Sequence, residues 1–255
     1  MADDDWVKFS RNGNVAKIEM VRPAHNLIEA RMIHELSRAF ARAVEEDCRS
    51  VLLASGLRHF CAGADLGNAI AGEFEKIDVL GLLHEMEELP IPIVVAVHGL
   101  ALGGGFEIAL GCDLILAADT AQIGLVETSL GLIPLMGGIS RVAARAGVAR
   151  AKEMTLLGRR YSASTLEQWG VINQVVPADS LHEAAMALAQ QLASGPTMAY
   201  RAIRQLVNQT ISHGVESADE LSPSLAAEIW RSNDVKAGLE AFRKTGTAAA
   251  VFSGS

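Results

Sequence analysis

Glu107 and Glu127 lie 20 positions apart, each in an apolar stretch and each a few residues beyond a glycine. The first closes Gly103-Gly104-Gly105-Phe106-Glu107, and the second closes Ile123-Gly124-Leu125-Val126-Glu127. Upstream, the small-residue turn His59-Phe60-Cys61-Ala62-Gly63-Ala64-Asp65-Leu66 sets Ala64 40 positions before Gly104. Two carboxylates brought together split their pKa values, so that one is ionised while the other carries a proton. Two tight backbone turns offer N–H groups to an oxygen. The combination suits acid–base chemistry beside a carbonyl, such as adding water across a polarised double bond.

A glycine run between a strand and a helix lets backbone approach a ligand closely. The first N–H groups of a helix lack intrahelical acceptors, and the dipole there favours negative charge. The N–H of Gly104, completed by one from the turn at Ala64, can therefore hold a developing oxyanion, each donor contributing about 2.7–4 kcal/mol. Other glycine-loop chemistries fail on residue type. A phosphate loop needs Gly-Lys-Ser/Thr where Phe106-Glu107 stands, and a dinucleotide fingerprint needs glycine where Ile108 stands. No Gly-x-Ser-x-Gly elbow is present.

The elements around these residues alternate. Asn12-Gly13, between Trp6–Phe9 and Val15–Val21, favours a tight hairpin because both residues tolerate positive φ. Ile28, Met32, Leu36 and Phe40 recur every four residues as one face of a helix. Val51–Ala54 reads as a short buried strand, and Ile77, Leu80, Leu83 and Met86 as a helix ending at Pro90. Ile93–Val97 is continuous and β-branched, the pattern of a strand buried on both faces. The glycine run then opens a helix from about Gly104 to Cys112, and Leu114–Ala118 returns as a strand. Ser164-Thr165-Leu166-Glu167 is a capping-box pattern with Gly170 placed to stop the helix, and Val171–Val176 follows as a strand. After Ser194 only helical stretches follow: Thr197 to about His213, Ala218 to about Trp230, and Val235–Phe242. Short strands alternating with helices predict an α/β fold of stacked units.

Composition narrows the function. A chain of 255 residues that is 50% hydrophobic can build a sizeable core as one large domain with a helical appendage. Its net charge of −8 argues against nucleic acid as the main partner. Cys48, Cys61 and Cys112 show neither CxxC nor zinc spacing, so no metal site is expected and a reducing compartment is the simpler inference. The acidic Met1-Ala2-Asp3-Asp4-Asp5 resembles neither a secretory signal nor a transit peptide, and no apolar run is long enough to span a bilayer. A cytoplasmic protein with no membrane partner is expected.

The ordered set Phe60–Leu66, Ala101–Glu107, Cys112-Asp113 and Gly124–Gly138 resembles the enoyl-CoA hydratase/isomerase (crotonase) superfamily over nearly the whole chain. The resemblance implies an α/β spiral of ββα units over residues 1–194 and a helical C-terminal region over 195–255 for trimerisation and active-site cover. It implies that Ala64 and Gly104 supply the oxyanion-hole N–H groups for an acyl-CoA thioester, and that Glu107 and Glu127 are the catalytic pair. Ala62, Asp65, Leu66, Leu135 and Met136 then border the substrate. Asp65 braces the oxyanion turn, and Arg58 stands where a basic residue for the CoA phosphates is common. Coenzyme A would enter as part of the substrate with no separate cofactor, and a homotrimer or dimer of trimers is the implied assembly. Retention of both glutamates favours hydration of a 2-trans-enoyl-CoA over isomerisation or another crotonase reaction.

There are departures from the family pattern. Pro134-Leu135-Met136-Gly137-Gly138 replaces a common Pro-Gly-Ala-Gly-Gly, Leu125-Val126 replaces Gln-Pro, and the lysine usual after Arg22-Pro23 is absent. These motivate a contrasting reading, a non-catalytic acyl-CoA-binding subunit. Lys244 reads as a surface residue, His98 as a turn or core histidine, His59 as a loop residue, and Cys61 and Cys112 as small core residues.

Overall fold

The computed structural model describes residues 5–67, 78–246 and 250–255. Two sheets form the frame. The larger has the order β1-β2-β3-β4-β6-β9, formed by Val7–Asn12, Val15–Met20, Ser50–Ser55, Ile93–Val97, Leu114–Ala118 and Gln174–Val176. Only the β1–β2 hairpin is antiparallel; every other pair in this sheet is parallel. The smaller sheet has the order β5-β7-β8, formed by Leu100–Leu102, Gln122–Gly124 and Tyr161–Ser162.

Successive turns of chain supply one strand to each sheet and then a helix. β4, β5 and helix Gly104–Leu110 make one such turn. β3, a bridge at Cys61 and helix Val79–Glu88 make the turn before it. This is the spiral of ββα units that the family resemblance implies. The parallel strands β3 and β4 are buried at every position, which is why they read as unbroken apolar runs. Helix Ala30–Glu45 lays Met32, Leu36 and Phe40 into the core. Helix Leu181–Ala193 crosses the outer face of the large sheet, where the Ser50 hydroxyl donates to the Ala189 carbonyl at 2.7 Å. Beyond it the described elements are all helical: Thr197–His213, Val215–Ile229 and Asn233–Thr245.

Several local expectations shift. The hairpin turn is Gly13-Asn14, because Asn12 still pairs with Val15 and only Gly13 takes a positive φ, of 59°. Ile28 lies before its helix and instead bridges Ala64. The cap of helix Ala163–Gln168 is Ser162, whose hydroxyl accepts from Thr165 N–H, while Glu167 turns away to accept from Val175 N–H. Only Gln174–Val176 of the segment 171–176 is extended. Ile77, placed in a helix by its spacing, lies outside the described residues, and helix Val79–Glu88 carries the rest of that pattern. Helices Gly138–Leu157 and Leu181–Ala193 were not among the elements read from the sequence, although Leu181, Ala185, Ala189 and Ala193 recur every four residues along the buried face of the second. The first hides behind glycines, and Gly147 interrupts it with φ 82° and ψ 167°.

Two arginines tie the helical region to the core: Arg49, just before β3, donates to Thr197 Oγ1 at 2.9 Å and to Phe252 O at 3.0 Å, and Arg204 reaches back from helix Thr197–His213. Arg204 is 8% exposed, and its Nε donates to both carboxylate oxygens of Asp113, at 2.8 and 2.9 Å. Its Nη2 donates to Met86 O at 2.7 Å, and its Nη1 to Leu89 O, at the end of helix Val79–Glu88. Asp113 in turn accepts from Ile93 N–H at 2.7 Å, where β4 begins. Removing Arg204 leaves the partly exposed Asp113 carboxylate unpaired and takes the donors from the Met86 and Leu89 carbonyls. Arg204→Met should therefore cost about 3 kcal/mol of unfolding free energy, read as a lower urea midpoint with an unchanged slope.

Candidate active site

Backbone pairing positions the candidate residues. Cys61 bridges Ala101 in parallel, and Ala101 pairs with Ile123 in the parallel β5–β7 ladder. Three segments thus run side by side in one direction. Ala64 and Gly104 each lie three residues past the rung, and Glu127 lies four past it. The chain therefore delivers all three to the same end of the small sheet. Glu107 joins them from the helix that Gly104 opens.

Ala64 bridges Ile28 through its neighbours: Ile28 N–H donates to Gly63 O and Asp65 N–H donates to Ile28 O, both at 2.9 Å. In a parallel bridge this arrangement turns the N–H of the middle residue away from the partner strand. Gly104 is the first residue of its helix, so its N–H has no intrahelical acceptor. Among the described residues neither N–H has a backbone acceptor. Close approach here depends on glycine. Gly103 has φ 51°, and a Cβ on it would lie 2.8 Å from Glu127 Oε1. A Cβ on Gly104 would lie 3.0 Å from both Ile28 Cδ1 and Met136 Sδ, and 4.0 Å from Glu107 Oε2. Both carboxylates therefore reach the same two-glycine stretch.

Glu107 is 1% exposed. Its Oε1 accepts from Met136 N–H at 2.9 Å and Gly138 N–H at 2.8 Å. Burial pushes its pKa up to about 7, opposed by the Gly138 N–H and reinforced by the Glu127 carboxylate. Glu127 begins a short 3-10 turn, Glu127–Leu130. Burial raises its pKa as well, and its buried Oε2 has no hydrogen-bond partner among the described residues. Two carboxyls with raised pKa values at one glycine turn are placed for general acid–base work.

The remaining predicted residues separate. Asp65 pairs with Arg22 at 2.7 Å and accepts from Gly67 N–H at 3.2 Å, so it sits as a brace of the turn. Ala62 is half-buried in that turn, while Leu66 is exposed beyond it. Met136 is buried against Gly104, whereas Leu135 is 52% exposed, so of the two bulky loop residues only Met136 lies inside. Arg58 lies exposed on the loop before Phe60. Lys244 pairs with Glu240 at 2.6 Å on the surface. His98 Nε2 sits 2.7 Å from Leu57 O. Cys61 is fully buried, and burial pushes its thiol up to about 12, which makes it inert.

Sequence reasoning missed Asn26. It is fully buried with φ 53°, and its Nδ2 donates to Ser55 Oγ at 2.8 Å and Phe60 O at 3.0 Å. Its Oδ1 accepts from Arg22 N–H at 2.8 Å. It staples the segment that bridges Ala64. An asparagine shortly after Pro23-Ala24 was the available signal, because Asn tolerates the left-handed region. Among the described residues no cluster of His, Cys, Asp and Glu could hold a metal ion, and no helix is long and apolar enough to cross a membrane.

Fold and candidate site together define a spiral α/β enzyme in which two backbone N–H groups without a backbone acceptor among the described residues stand beside the buried Glu107 and the half-buried Glu127. A profile of the enoyl-CoA hydratase/isomerase family matches residues 10–250, and the chain belongs to that family. It is similar to the carnitinyl-CoA dehydratase of Proteus mirabilis (strain HI4320), with 35% identity over 222 residues, 85% of each chain. It is 33% identical over 244 residues to that of Citrobacter koseri (strain ATCC BAA-895 / CDC 4225-83 / SGSC4696), covering 92% of this chain and 94% of the relative. The crystal structure of enoyl-CoA hydratase from Bacillus anthracis superposes with a TM-score of 0.91 at 30% identity, covering 98% of this chain and all of that one.

Two outcomes follow from this geometry. A carboxyl whose folded pKa is raised to about 7 binds its proton more tightly folded than unfolded. Its contribution to stability is thus present in acid and lost as pH rises from about 4.5 to about 7. Glu107→Gln keeps an acceptor for both N–H groups and cannot ionise. The variant should match the parent near pH 4.5 and exceed it above pH 7 by on the order of 3 kcal/mol, measured by denaturant titration across pH. A Cβ on Gly138 would lie 2.8 Å from Glu107 Cγ. Gly138→Ala should accordingly leave the circular dichroism spectrum intact and depress turnover at least about tenfold through displacement of that carboxylate.

Proposed function

We propose that this protein is an enoyl-CoA hydratase that adds water across the 2,3 double bond of a 2-trans-enoyl-CoA to give the 3-hydroxyacyl-CoA. One observation carries the reading: Glu107 and Glu127 reach the Gly103-Gly104 turn, whose free amide lies at the same end of the small sheet as that of Ala64. The thioester oxygen would accept from the N–H groups of Ala64 and Gly104. Glu107, fixed by two N–H donors on one oxygen, holds the water and takes its proton as the water oxygen bonds to C3. The π electrons move to C2 and the thioester oxygen, where the two N–H groups stabilise the enolate. Glu127, with a bare buried oxygen, delivers a proton to C2. A proton passing from Glu107 to Glu127 through solvent resets the pair. Coenzyme A arrives as the substrate thioester, and the reaction needs no further cofactor.

Burial of Met136 beneath the oxyanion turn limits acyl bulk there, and exposed Arg58 is free to meet the CoA phosphates. Hydration and dehydration share one transition state, so the same site serves loss of water from a hydroxyacyl thioester. The relatives named carnitinyl-CoA dehydratase support that direction as a second reading. A trimer or dimer of trimers is the assembly we infer, with residues 195–255 as its helical contact and active-site cover on the 1–194 core. The exposed apolar row Ile203, Val207 and Ile211 on helix Thr197–His213 supports it. The free, buried cysteines fit a cytoplasmic location.

Incubation with crotonyl-CoA should bleach the conjugated enoyl absorbance. Glu107→Gln and Glu127→Gln should each slow this by about 10²–10⁴-fold with crotonyl-CoA affinity retained. Tolerance of either substitution would instead indicate isomerisation, and binding without turnover in the parent, across a panel that includes carnitinyl-CoA, would indicate a silent binding subunit.

A further inference from the structure

The two strands that end at Ala64 and Gly104 are joined upstream by an imidazole. Phe60 N–H donates to His98 O at 2.9 Å, Cys61 N–H to Leu100 O at 3.0 Å, and Leu102 N–H to Cys61 O at 3.0 Å. Continued regularly, this parallel ladder would send Leu100 N–H to the carbonyl of residue 59. That carbonyl is already taken by the Ser55 hydroxyl at 2.6 Å and the Asn26 amide at 3.4 Å. Leu100 N–H donates instead to His59 Nδ1 at 3.2 Å. Gly99 makes room for this contact: its φ is 60°, and a Cβ there would stand 2.6 Å from His59 Nδ1 and 2.4 Å from Arg58 O.

We propose that His59 is a positioning residue for the oxyanion hole, its neutral imidazole acting as the acceptor that holds β5 in register with the 60–64 segment. The inference rests on the hydratase reading given above. An imidazole accepts through Nδ1 only while neutral; protonated, both nitrogens donate and the bond to Leu100 is lost. Because Ala64 and Gly104 lie equal distances past the Cys61–Ala101 rung, loosening that rung from its upstream side moves the two oxyanion donors relative to each other. The surroundings favour the neutral form. Burial, then Arg58, His25 and His98 all depress the protonation of His59. The His25 ring lies 5.5 Å away, centroid to centroid. Behind His98 stands His182 at 5.5 Å, itself faced by Lys17 and Glu19. Acidification below the depressed His59 pKa should therefore disengage the clamp independently of the two glutamates.

The test uses acetoacetyl-CoA, whose enolate puts negative charge on the thioester oxygen, with coenzyme A as the reference ligand. Affinities are measured by calorimetry from pH 8 to pH 5 for the parent, His59→Asn and His59→Phe. Asparagine presents an acceptor oxygen near the Nδ1 position and does not titrate; phenylalanine presents none. The parent should prefer acetoacetyl-CoA over coenzyme A at pH 8 and lose at least tenfold more of that preference on acidification than His59→Asn. His59→Phe should show the weakened preference at every pH. Glutamate and ligand titrations are common to all three proteins and cancel in the comparison. Should His59→Phe fail to fold, the contrast between parent and His59→Asn decides alone. Equal pH dependence in those two, or a His59→Phe variant that binds like the parent, overturns the role of His59 while leaving the oxyanion hole standing. A parent with no preference for acetoacetyl-CoA at any pH overturns both.

Discussion

A single rung of parallel backbone pairing, Cys61 to Ala101 to Ile123, fixes the relative positions of the groups that can do chemistry here. Backbone pairing is a stiff ruler. Strand spacing of about 4.8 Å is set by hydrogen-bond length rather than by side chains, and residues counted forward from one rung stay aligned. Ala64, Gly104 and Glu127 are all counted from it, which is how positions spread over more than sixty residues of sequence meet without a long side chain to span the gap. The large sheet behind them is a scaffold whose two central strands, β3 and β4, are buried at every position.

The electrostatic character of the site follows from the same close packing. Glycines at 103, 104 and 138 bring backbone to where side chains would otherwise stand, and the two carboxylates occupy the space gained. Desolvation is the leading cause of the raised pKa of each. For Glu107 the opposing influence is backbone N–H rather than a cation, so the group is fixed in place without being locked into its ionised form. An arginine directly on Glu107 would have held it ionised and unable to return a proton. The nearest one, Arg141, is engaged by Glu87 and exerts only a small pull.

Much of this was legible in the chain. Ile93–Val97 and Leu114–Ala118 were readable to the residue, and Thr197–His213 closely, because a buried parallel strand and a long amphipathic helix write uninterrupted patterns. The glutamates in apolar runs and the two small-residue turns stood out because buried carboxylates and clustered glycines are costly without a purpose. The strands of the small sheet were not, since two or three residues carry no periodicity. The cap at Ser162 was misplaced because Ser164 and Glu167 match the capping-box spacing, whereas the helix begins at Ala163 and Ser162 takes the Thr165 N–H. Leu135 and Met136 are adjacent and equally apolar, so one turning inward and the other outward depends on the Met136 N–H bond to Glu107, a contact across 29 residues. Asn26 was invisible for a similar reason: its partners lie in three separate segments.

The Arg204 clamp has a kinetic side. The bonds that build the site join segments roughly twenty to forty residues apart, whereas Arg204 reaches Asp113 across 91 residues. Longer loops close at greater entropic cost and later in folding. On a chain emerging from the ribosome, the paired strands can assemble while the carbonyls of Met86 and Leu89 and the carboxylate of Asp113 still face water, awaiting a residue not yet synthesised. Arg49 waits longer still, for Thr197 and, 203 residues on, for the Phe252 carbonyl, so the C-terminal region is what completes both arginine clamps.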